Sequence, residues 1–324
     1  MTSYYRDRRV LVLGGLGYIG SNLTAALADA GARTTIVTPA RDRHRARAAS
    51  LEARGAAIVE ADIRDAAAMR AAVRDQEVVF HLAGRSGAVR SVEDPAGDFD
   101  VNCGGSLALL EAMRAEESAA RLVFSGSRLA YGRPAAIPVA ESQPLAPRCP
   151  HGLHKAAVEQ YLAIYARLYG LRATTLRITN PYGPGQPRDR QAYGVINFLI
   201  HRALAGETLP IYGDGAQLRD YIYIGDVVSA MLASGADPRP CCRVYNVGSG
   251  AGISMMDAAR LIVAVAGSGR VETQPWPGVA REIDSGDFVA DVSRIASELD
   301  WRPTVTIEDG LRRTVAAHLA QTTA

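Results

Sequence analysis

The sequence contains little cysteine and few aromatic side chains. Of its 324 residues, four are cysteines and 6% are aromatic. Cys103, Cys149, Cys241 and Cys242 show no metal-ligand spacing, and the last two are adjacent, which makes them poor partners for an ordinary disulfide. The simplest interpretation is a reduced, cytoplasmic setting and no metal site.

Long apolar runs and a strong net charge are also missing. No stretch is apolar over the length that a membrane-spanning helix needs, so no membrane association is predicted. Arg6, Arg8 and Arg9 precede an apolar run, as in a signal peptide, but the run is short and broken by glycines, so export is not predicted. The formal net charge is +2 and no long basic stripe is present, which argues against nucleic acid as the main partner.

A glycine-rich turn lies close to the start of the chain. Residues 10–20 read VLVLGGLGYIG, an apolar strand followed by Gly14, Gly17 and Gly20 and the start of a helix. A diphosphate can lie on such a turn only where no Cβ blocks the backbone, and the helix then offers free N–H groups to the anion. Because a second strand follows at 33–38, the pattern favours a dinucleotide-binding turn over a tight turn without a ligand.

Short β-rich runs alternate with Ala-rich helical patterns in the first half of the chain. Strands are predicted at 9–13, 33–38, 56–60, 77–82, 121–125 and 172–178, and helices at 18–30, 65–75, 104–116 and 152–169. This order predicts an α/β protein with a Rossmann-type doubly wound parallel sheet. Its ligand is expected at the carboxyl ends of the strands, near the point where the strand order reverses.

The pattern changes after residue 177. Segment 180–192 is rich in Pro, Gly and Arg and is predicted to be a long functional loop, whereas 244–248 resembles one more strand of the main sheet. The second lobe is therefore expected to be discontinuous. We predict a dinucleotide-binding domain at 1–178 and 220–250, and a smaller substrate lobe at 179–219 and 251–324.

Candidate catalytic residues follow a buried strand and open a helix. Ser125 and Ser127 lie where the strand in RLVFSGS ends, and His151 and Lys155 are four residues apart in HGLHKAAVEQY, on one helix face. A hydroxyl, a base and a cation together suit deprotonation of a sugar or alcohol hydroxyl, with hydride transfer to a nicotinamide held by the glycine turn.

At these residues the chain resembles the extended short-chain dehydrogenase/reductases, in particular the nucleotide-sugar epimerase/dehydratase family. The resemblance covers nearly the whole length. It is carried by GGLGYIGS, by Asp62-Ile63, by HLAGRSGAVRSVEDP, by Asn102, by the NPYGP that begins at Asn180, by IYGDGAQLRDYIYIGDVVSAM and by DFVADVSRIASELDWRPTVTIEDGL.

The resemblance implies roles for individual residues. It assigns cofactor binding to Gly14, Gly17, Tyr18, Ile19, Gly20, Thr38, Arg41, Asp62, Ile63, Leu82, Ala83 and Lys155. It assigns substrate binding to Arg90, Ser127, Asn180, Arg188, Tyr212 and Arg219, and catalysis to Ser127, His151 and Lys155.

His151 stands where the family has its catalytic tyrosine in YxxxK. A free tyrosine has a pKa of about 10 and needs the lysine to become a base, whereas histidine, at about 6.5, is a neutral base unaided. Three interpretations of His151 remain. It is a working base, or the base is lost and the protein is a catalytically impaired nucleotide-binding or sensor protein. In the third, His151 only fills space and a substrate group or a water molecule acts as the base. The retained Ser127 and Lys155 favour the first.

The cofactor that the resemblance implies is NAD, with NADP as the alternative. Members that use NAD usually carry an aspartate at the end of the second strand, where this chain has Thr38. Arg41 or Arg43 could instead pair with a 2′-phosphate. NAD is favoured because epimerases of this type recycle a tightly held NAD.

The residues after Ser127 help to predict which reaction of the family is catalysed. The family's 4,6-dehydratases have an Asp-Glu pair there and its decarboxylases a nearby Glu, whereas Arg128, Leu129 and Ala130 follow here. An epimerase needs no such carboxylate, because its cycle is oxidation at the sugar carbon, rotation of the keto intermediate and hydride return. The resemblance therefore implies a nucleotide-sugar epimerase, with C4 as the expected centre. A dehydratase or reductase is the alternative.

Arg219 matches the arginine that holds the substrate diphosphate in the family. The alternative is a structural salt bridge to Asp220 or Asp226. Asp284 stands near the position where the family often has another nucleotide-binding arginine, and Arg281 could partly replace that contact.

Several further arginines suggest an acidic sugar, such as a uronate. They are Arg90, Arg128, Arg188 and Arg190, and surface or diphosphate contacts explain them equally well. Asn180 is either a sugar or diphosphate contact or a turn residue.

Two helices carry apolar stripes that form a homodimer interface in the family. Their members are Leu107, Leu109, Leu110, Met113, Val158, Leu162, Tyr165 and Leu168. The stripes could equally face the sheet, so the predicted homodimer rests on the resemblance.

Overall fold

The computed structural model describes residues 2–186, 194–239 and 242–322. Its strands are β1 (Arg9–Leu13), β2 (Arg33–Thr38), β3 (Ala57–Glu60), β4 (Val78–His81), β5 (Arg121–Ser127), β6 (Arg172–Ile178), β7 (Asn180–Tyr182), β8 (Thr208–Tyr212), β9 (Leu218–Tyr223), β10 (Arg243–Val247), β11 (Gly252–Ser254) and β12 (Arg270–Gln274).

The α-helices are α1 (Thr2–Tyr5), α2 (Tyr18–Asp29), α3 (Arg45–Glu52), α4 (Ala66–Val73), α5 (Ala88–Glu93), α6 (Pro95–Phe99), α7 (Gly105–Ala115), α8 (Pro150–Tyr169), α9 (Val195–Leu204), α10 (Ile224–Ala236), α11 (Met255–Ala266), α12 (Gly278–Glu282), α13 (Ser293–Leu299) and α14 (Ile307–Thr322). Short 3₁₀ turns lie at Asp42–His44 and Arg128–Ala130, and a π-helical turn lies at Asp100–Gly104.

Seven of the described strands form one parallel sheet in the order β10-β6-β5-β4-β1-β2-β3. The chain winds outward from β1 in one direction through β2 and β3, then crosses back to β4 and continues the other way. The strand order therefore reverses between β1 and β4, which creates a crevice above their carboxyl ends. This confirms the Rossmann-type doubly wound sheet that the sequence predicts.

The sheet is covered on both faces because successive side chains of each strand point to opposite sides. In β1, Val10 and Val12 pack in a core with residues of α2 and α10, whereas Leu11 and Leu13 pack in a second core with residues of α4, α7 and α8. All four are fully buried. Burial of each such side chain contributes about 1.5–3 kcal/mol, so the two cores hold the strand ends rigidly in place.

A smaller part of the structure is built on two other sheets. One has the order β11-β9-β7, and the other pairs β8 with β12. A third core joins these sheets to α9, α11 and α14. The division of the chain at 178/179, 219/220 and 250/251 stays a prediction, and β9 crosses the second of these boundaries. The loop predicted at 180–192 begins with β7 and continues into residues outside the described part.

The predicted apolar stripes mostly face the sheet. Leu109, Leu110, Met113, Val158, Leu162 and Tyr165 are buried in the core below α7 and α8, and Leu107 packs against that core. Leu168 is the exception, because 58% of it is exposed. Among the described residues, no helix is both long enough and apolar enough to cross a membrane.

Candidate functional site

A cavity of about 630 Å³ lies at the carboxyl ends of the central strands. It is lined by the segments that follow β1 and β4 and by the ends of β5 and β6. Strands β7 and β9 and the starts of α9 and α11 line its other side. Five of its described lining residues carry a positive charge and none carries a carboxylate; they are Arg47, Arg85, Arg128, Lys155 and Arg219. Such a cavity suits a ligand with several negative charges.

A second groove, of about 620 Å³, opens at the amino ends of the strands. Its charged residues largely pair with one another, as in the ion pairs of Arg8 with Glu77 and of Arg74 with Glu116. It therefore offers less unmatched charge than the first cavity.

The glycine turn has the shape that the sequence predicts. Gly14 has a φ of +79°, and a Cβ at that position would lie 2.8 Å from the backbone nitrogen of Ala83. A Cβ on Gly20 would overlap the carbonyl oxygen of Gly14. Helix α2 begins at Tyr18, and its N-cap Gly17 supplies no capping side chain. The turn therefore leaves backbone N–H groups of a helix N-terminus facing a cavity, which fits the diphosphate of a dinucleotide.

The arginines predicted to favour a 2′-phosphate are not among the described residues that line the cavity. Arg41 pairs with Glu52 at 2.7 Å, and Arg43 is exposed on a 3₁₀ turn. Thr38 ends β2 and is buried, with its hydroxyl accepting a hydrogen bond from the amide of Ala40. Their part in cofactor binding stays a prediction.

Arg47, which sequence analysis missed, lines the cavity instead. Its guanidinium donates to the carbonyls of Leu16, at 2.7 Å, and Gly185, at 2.6 Å, so it joins the glycine turn to the segment after β7. In the sequence, Arg47 is only one of four arginines that alternate with other residues between positions 41 and 47. The packing of α3 decides that its side chain points to the cavity.

Some of the other predicted cofactor residues line the cavity, whereas Asp62 and Ile63 are not among the described lining residues. Leu82 lines the cavity, and Ala83 approaches Gly14. Ile63 is buried, and Asp62 is held by the Arg64 guanidinium, whose hydrogen bonds lower the pKa of that carboxyl. Tyr18 and Ile19 line the cavity with the glycines.

His151 and Lys155 lie on the buried face of α8, one helical turn apart, and both line the cavity with Ser127. The Lys155 ammonium donates to the carbonyl of Ser125 at 2.9 Å. Burial lowers the pKa of Lys155 to about 8. It is the one lysine in the sequence; every other residue in the Lys+Arg total of 36 is an arginine. The Ser127 hydroxyl accepts from the amide of Leu129 and caps the following 3₁₀ turn.

A buried carboxylate, which sequence analysis missed, lies behind the histidine. Asp98 of α6 is 2% exposed; its Oδ1 lies 2.6 Å from His154 Nδ1 and accepts from Asn102 Nδ2 at 2.9 Å. Its Oδ2 lies 3.7 Å from the buried His151 Nδ1, which is beyond hydrogen-bond distance, and no other described residue bonds this nitrogen. The His151 amide donates to Ser91 Oγ at 3.1 Å, which fixes the start of α8.

The protonation of this group follows from burial and pairing. Burial lowers the pKa of His151 below its ordinary 6.5, while the Asp98 carboxylate opposes part of that shift. Burial opposes ionisation of Asp98, but the imidazoles of His151 and His154 and the Asn102 amide outweigh it and hold its pKa below the ordinary value. At neutral pH the cluster therefore contains a neutral His151 facing an ionised Asp98.

Arg219 lines the cavity but does not form either of the salt bridges considered from the sequence. Its partner is Asp284, at 2.5 Å, and it also donates to the carbonyl of Gly286. Asp220 instead accepts backbone amides, including that of Ala290, and Asp226 accepts from the Thr304 backbone and hydroxyl.

The remaining predicted substrate residues are dispersed. Asn180 lines the cavity and donates to the carbonyl of Asp220. Arg90 on α5 and Tyr212, whose ring centre lies 5.5 Å from that of Trp276, are not among the described lining residues. Exposed Arg281 does not line the cavity either. Arg188, Arg190 and Cys241 lie outside the described residues.

Comparison with known proteins agrees with this architecture. The chain is 34% identical, over 313 residues, to a UDP-glucose 4-epimerase of Mycolicibacterium smegmatis, covering 95% of this chain and 97% of the relative. A solved UDP-N-acetylglucosamine 4-epimerase of Methanobrevibacter ruminantium, bound to UDP-N-acetylmuramic acid, is similar with a TM-score of 0.90 and 30% identity, covering 98% of this chain and 99% of that one.

A Thermus thermophilus UDP-glucose 4-epimerase solved with NAD has a TM-score of 0.85 at 33% identity, with 95% of this chain and 98% of that chain covered. Residues 10–248 match the NAD dependent epimerase/dehydratase family. The match contains the glycine turn, the buried carboxylate and the residues that line the cavity from both sheets, and the chain belongs to this family.

Proposed function

We propose that this protein is a nucleotide-sugar epimerase that inverts the sugar at C4 with NAD as its cofactor. The observation that carries the proposal is the convergence of His151, Lys155 and Ser127 in one cavity with an uncapped glycine turn. The relatives named as 4-epimerases support the choice of reaction. The cationic lining supports a ligand that carries phosphates.

The glycine turn and the start of α2 would hold the diphosphate of the dinucleotide. When bound, the nicotinamide supplies reversible oxidation of the sugar carbon, so that the centre can return with either configuration. Arg41 is already paired with Glu52, and a relative was solved with NAD, which supports NAD over NADP.

His151 is the proposed base. Its neutral imidazole accepts the proton of the sugar hydroxyl at Nε2, and the proton returns to the sugar oxygen when the centre is reduced. Asp98 faces Nδ1, so it favours the tautomer with the proton on Nδ1 and stabilises the imidazolium that forms. Lys155 keeps the imidazole neutral before the reaction, and Ser127 is positioned to bond the same hydroxyl.

The described cavity wall favours epimerisation over loss of water. A dehydratase needs an acid and a base for the departing hydroxyl, but the turn after Ser127 contains Arg128, Leu129 and Ala130, and the described lining residues include no carboxylate. A measurement of turnover distinguishes the two alternatives, because a catalytically impaired sensor would bind the nucleotide without forming product.

The test starts with the protein as purified. We expect mass spectrometry after denaturation to detect released NAD, and we expect one member of a panel of UDP-, GDP-, dTDP-, CDP- and ADP-sugars to give its C4 epimer, followed by NMR. A transient absorbance of reduced nicotinamide would accompany turnover. Release of NAD without epimer formation from any sugar of the panel would contradict the proposed enzymatic function. It would support the catalytically impaired sensor.

A homodimer is the proposed assembly, through an exposed face of α8 that shares only Leu168 with the predicted stripe. Leu153, Tyr161, Ile164 and Leu168 lie at helical spacing and are between 38% and 58% exposed. Exposed apolar side chains along one helix favour packing against a second copy.

Changing Ile164 and Leu168 together to glutamate is expected to convert the dimer to a monomer, because two charges would be buried at the interface. Light scattering on a sizing column measures the mass. Val279→Glu, at another exposed apolar residue, is the matched control. A wild-type monomer at micromolar concentration would contradict the dimer.

The setting we propose is the cytoplasm. Cys103 and Cys149 are free, and burial raises the pKa of the Cys103 thiol to about 11, which keeps it unreactive.

A further inference from the structure

Arg128 is a buried cation that forms no ion pair with any described residue. It follows Ser127 directly, is 9% exposed and lines the cavity at the carboxyl end of β5. Its Nε donates to Asn180 Oδ1 at 3.2 Å and its Nη1 to Ser285 Oγ at 2.7 Å, and its guanidinium carbon lies 5.4 Å from the centre of the Phe288 ring. All of these partners are neutral.

Other buried arginines of the described chain have a carboxylate. Arg177 pairs with Glu159, and Arg219 pairs with Asp284, each at 2.5 Å. No described carboxylate lies within ion-pair distance of Arg128. Burial, and then the nearby Arg219, lower the pKa of Arg128 to about 10, so it stays charged at neutral pH. A buried charge without a counter-ion destabilises the ligand-free protein.

The two arginines therefore contribute differently to the substrate side of the cavity. Arg219 forms an ion pair with Asp284, whereas Arg128 is influenced by Asp284 and Asp220 only at longer range and forms an ion pair with no described carboxylate. Nη2 of Arg128 donates to no described residue, and a guanidinium edge matches the paired oxygens of a carboxylate or a phosphate. Arg128 follows Ser127 in the chain, and its guanidinium extends from there to Asn180 and Ser285.

We propose that Arg128 is the counter-charge for an anionic oxygen group of the substrate at the sugar end of the cavity. That group is either a carboxylate on the sugar, which makes the substrate a nucleotide-linked acidic sugar, or the phosphate next to the sugar. This inference rests on the proposed nucleotide-sugar function. It adds a specificity-determining residue to the three proposed catalytic side chains.

Calorimetric titration of the purified protein with UDP, UDP-glucose and UDP-glucuronate tests the proposal. We expect Arg128→Met to weaken binding by about 10- to 100-fold, the effect of losing charge-assisted hydrogen bonds. A loss confined to UDP-glucuronate identifies the sugar carboxylate. An equal loss for all three, including UDP, identifies the phosphate. Unchanged affinity for all three overturns the proposal.

Controls separate folding from binding. Arg148→Met removes an exposed arginine that donates to the Glu282 carbonyl outside the cavity, and it should bind all three ligands as the wild type does. Thermal unfolding of Arg128→Met should show a melting temperature equal to or above that of the wild type, because an unpaired buried charge is removed. A clear decrease, with affinities retained in Arg128→Lys, would indicate a structural role and contradict the proposal.

The same titrations distinguish this inference from the proposed function. Wild-type protein that binds none of the three ligands would count against both the nucleotide-sugar function and the role of Arg128. Wild-type binding that Arg128→Met leaves intact would remove only the role of Arg128.

Discussion

Replacing His151 with phenylalanine is expected to lower epimerase turnover by about 10²- to 10⁴-fold, the usual contribution of a general base. The phenyl ring fills similar space on the buried face of α8 but cannot accept a proton. The glycine turn lies on another segment, so the NAD content of the purified variant should equal that of the wild type. Product formation by NMR and released NAD by mass spectrometry are the two measurements.

His154 provides a matched control for that variant. It lies on the same helix and contacts the same carboxylate, but it is not among the described residues that line the cavity. His154→Phe should therefore lose much less activity than His151→Phe. His151→Tyr tests whether the residue usual in the family is accepted here. Turnover that is unchanged in His151→Phe would exclude the imidazole as the base.

Asp98→Asn is expected to reduce turnover by about 10²- to 10⁴-fold through the orientation of His151. An asparagine amide can donate to Nδ1, which places the imidazole proton on Nε2, where the lone pair is needed. Loss of the carboxylate also removes the influence that raises the pKa of His151. The acid limb of the pH–rate profile, which lies below pH 6.5 in the wild type because the base must be neutral, should then move to lower pH.

The position of the acid limb distinguishes this role from simple packing. If Asp98 only supported the fold, Asp98→Asn would lower the melting temperature and leave the acid limb where it is. Asp100→Asn is the matched control, because Asp100 is an exposed carboxylate two residues away on the π-helical turn. If His151→Phe is inactive but the pH–rate profile of Asp98→Asn does not shift, His151 remains the proposed base. The proposed orienting role of Asp98 is then contradicted.

The sequence predicts the parts of this structure that depend on local spacing. The glycines of the first turn are fixed by the space that a Cβ would occupy, and the central strands are fixed by β-rich runs between helical patterns. The placement of His151 and Lys155 on one face follows from their separation of four residues. Each of these features can be derived from a short stretch of chain.

What the sequence could not provide depends on contacts between distant segments. Asp98 reaches His151 because α6 packs against α8, and Arg219 finds Asp284 rather than its neighbour Asp220 because the loop after α12 returns to β9. The apolar stripe of α8 had two possible partners, and only the packing of the sheet shows that Leu162 faces the core. Side-chain direction in the folded chain decided each of these outcomes.

The presence of a single lysine in an otherwise arginine-based chain has a practical consequence. A guanidinium would remain protonated and project a wide, flat group at the site of the Lys155 ammonium, so arginine could not replace it there. Because every other long basic side chain lacks an ε-amine, acylating or reductively methylating reagents can label only this site and the α-amine. Lys155 thus offers a single side-chain amine for attaching a label in the cavity, without mutating any residue.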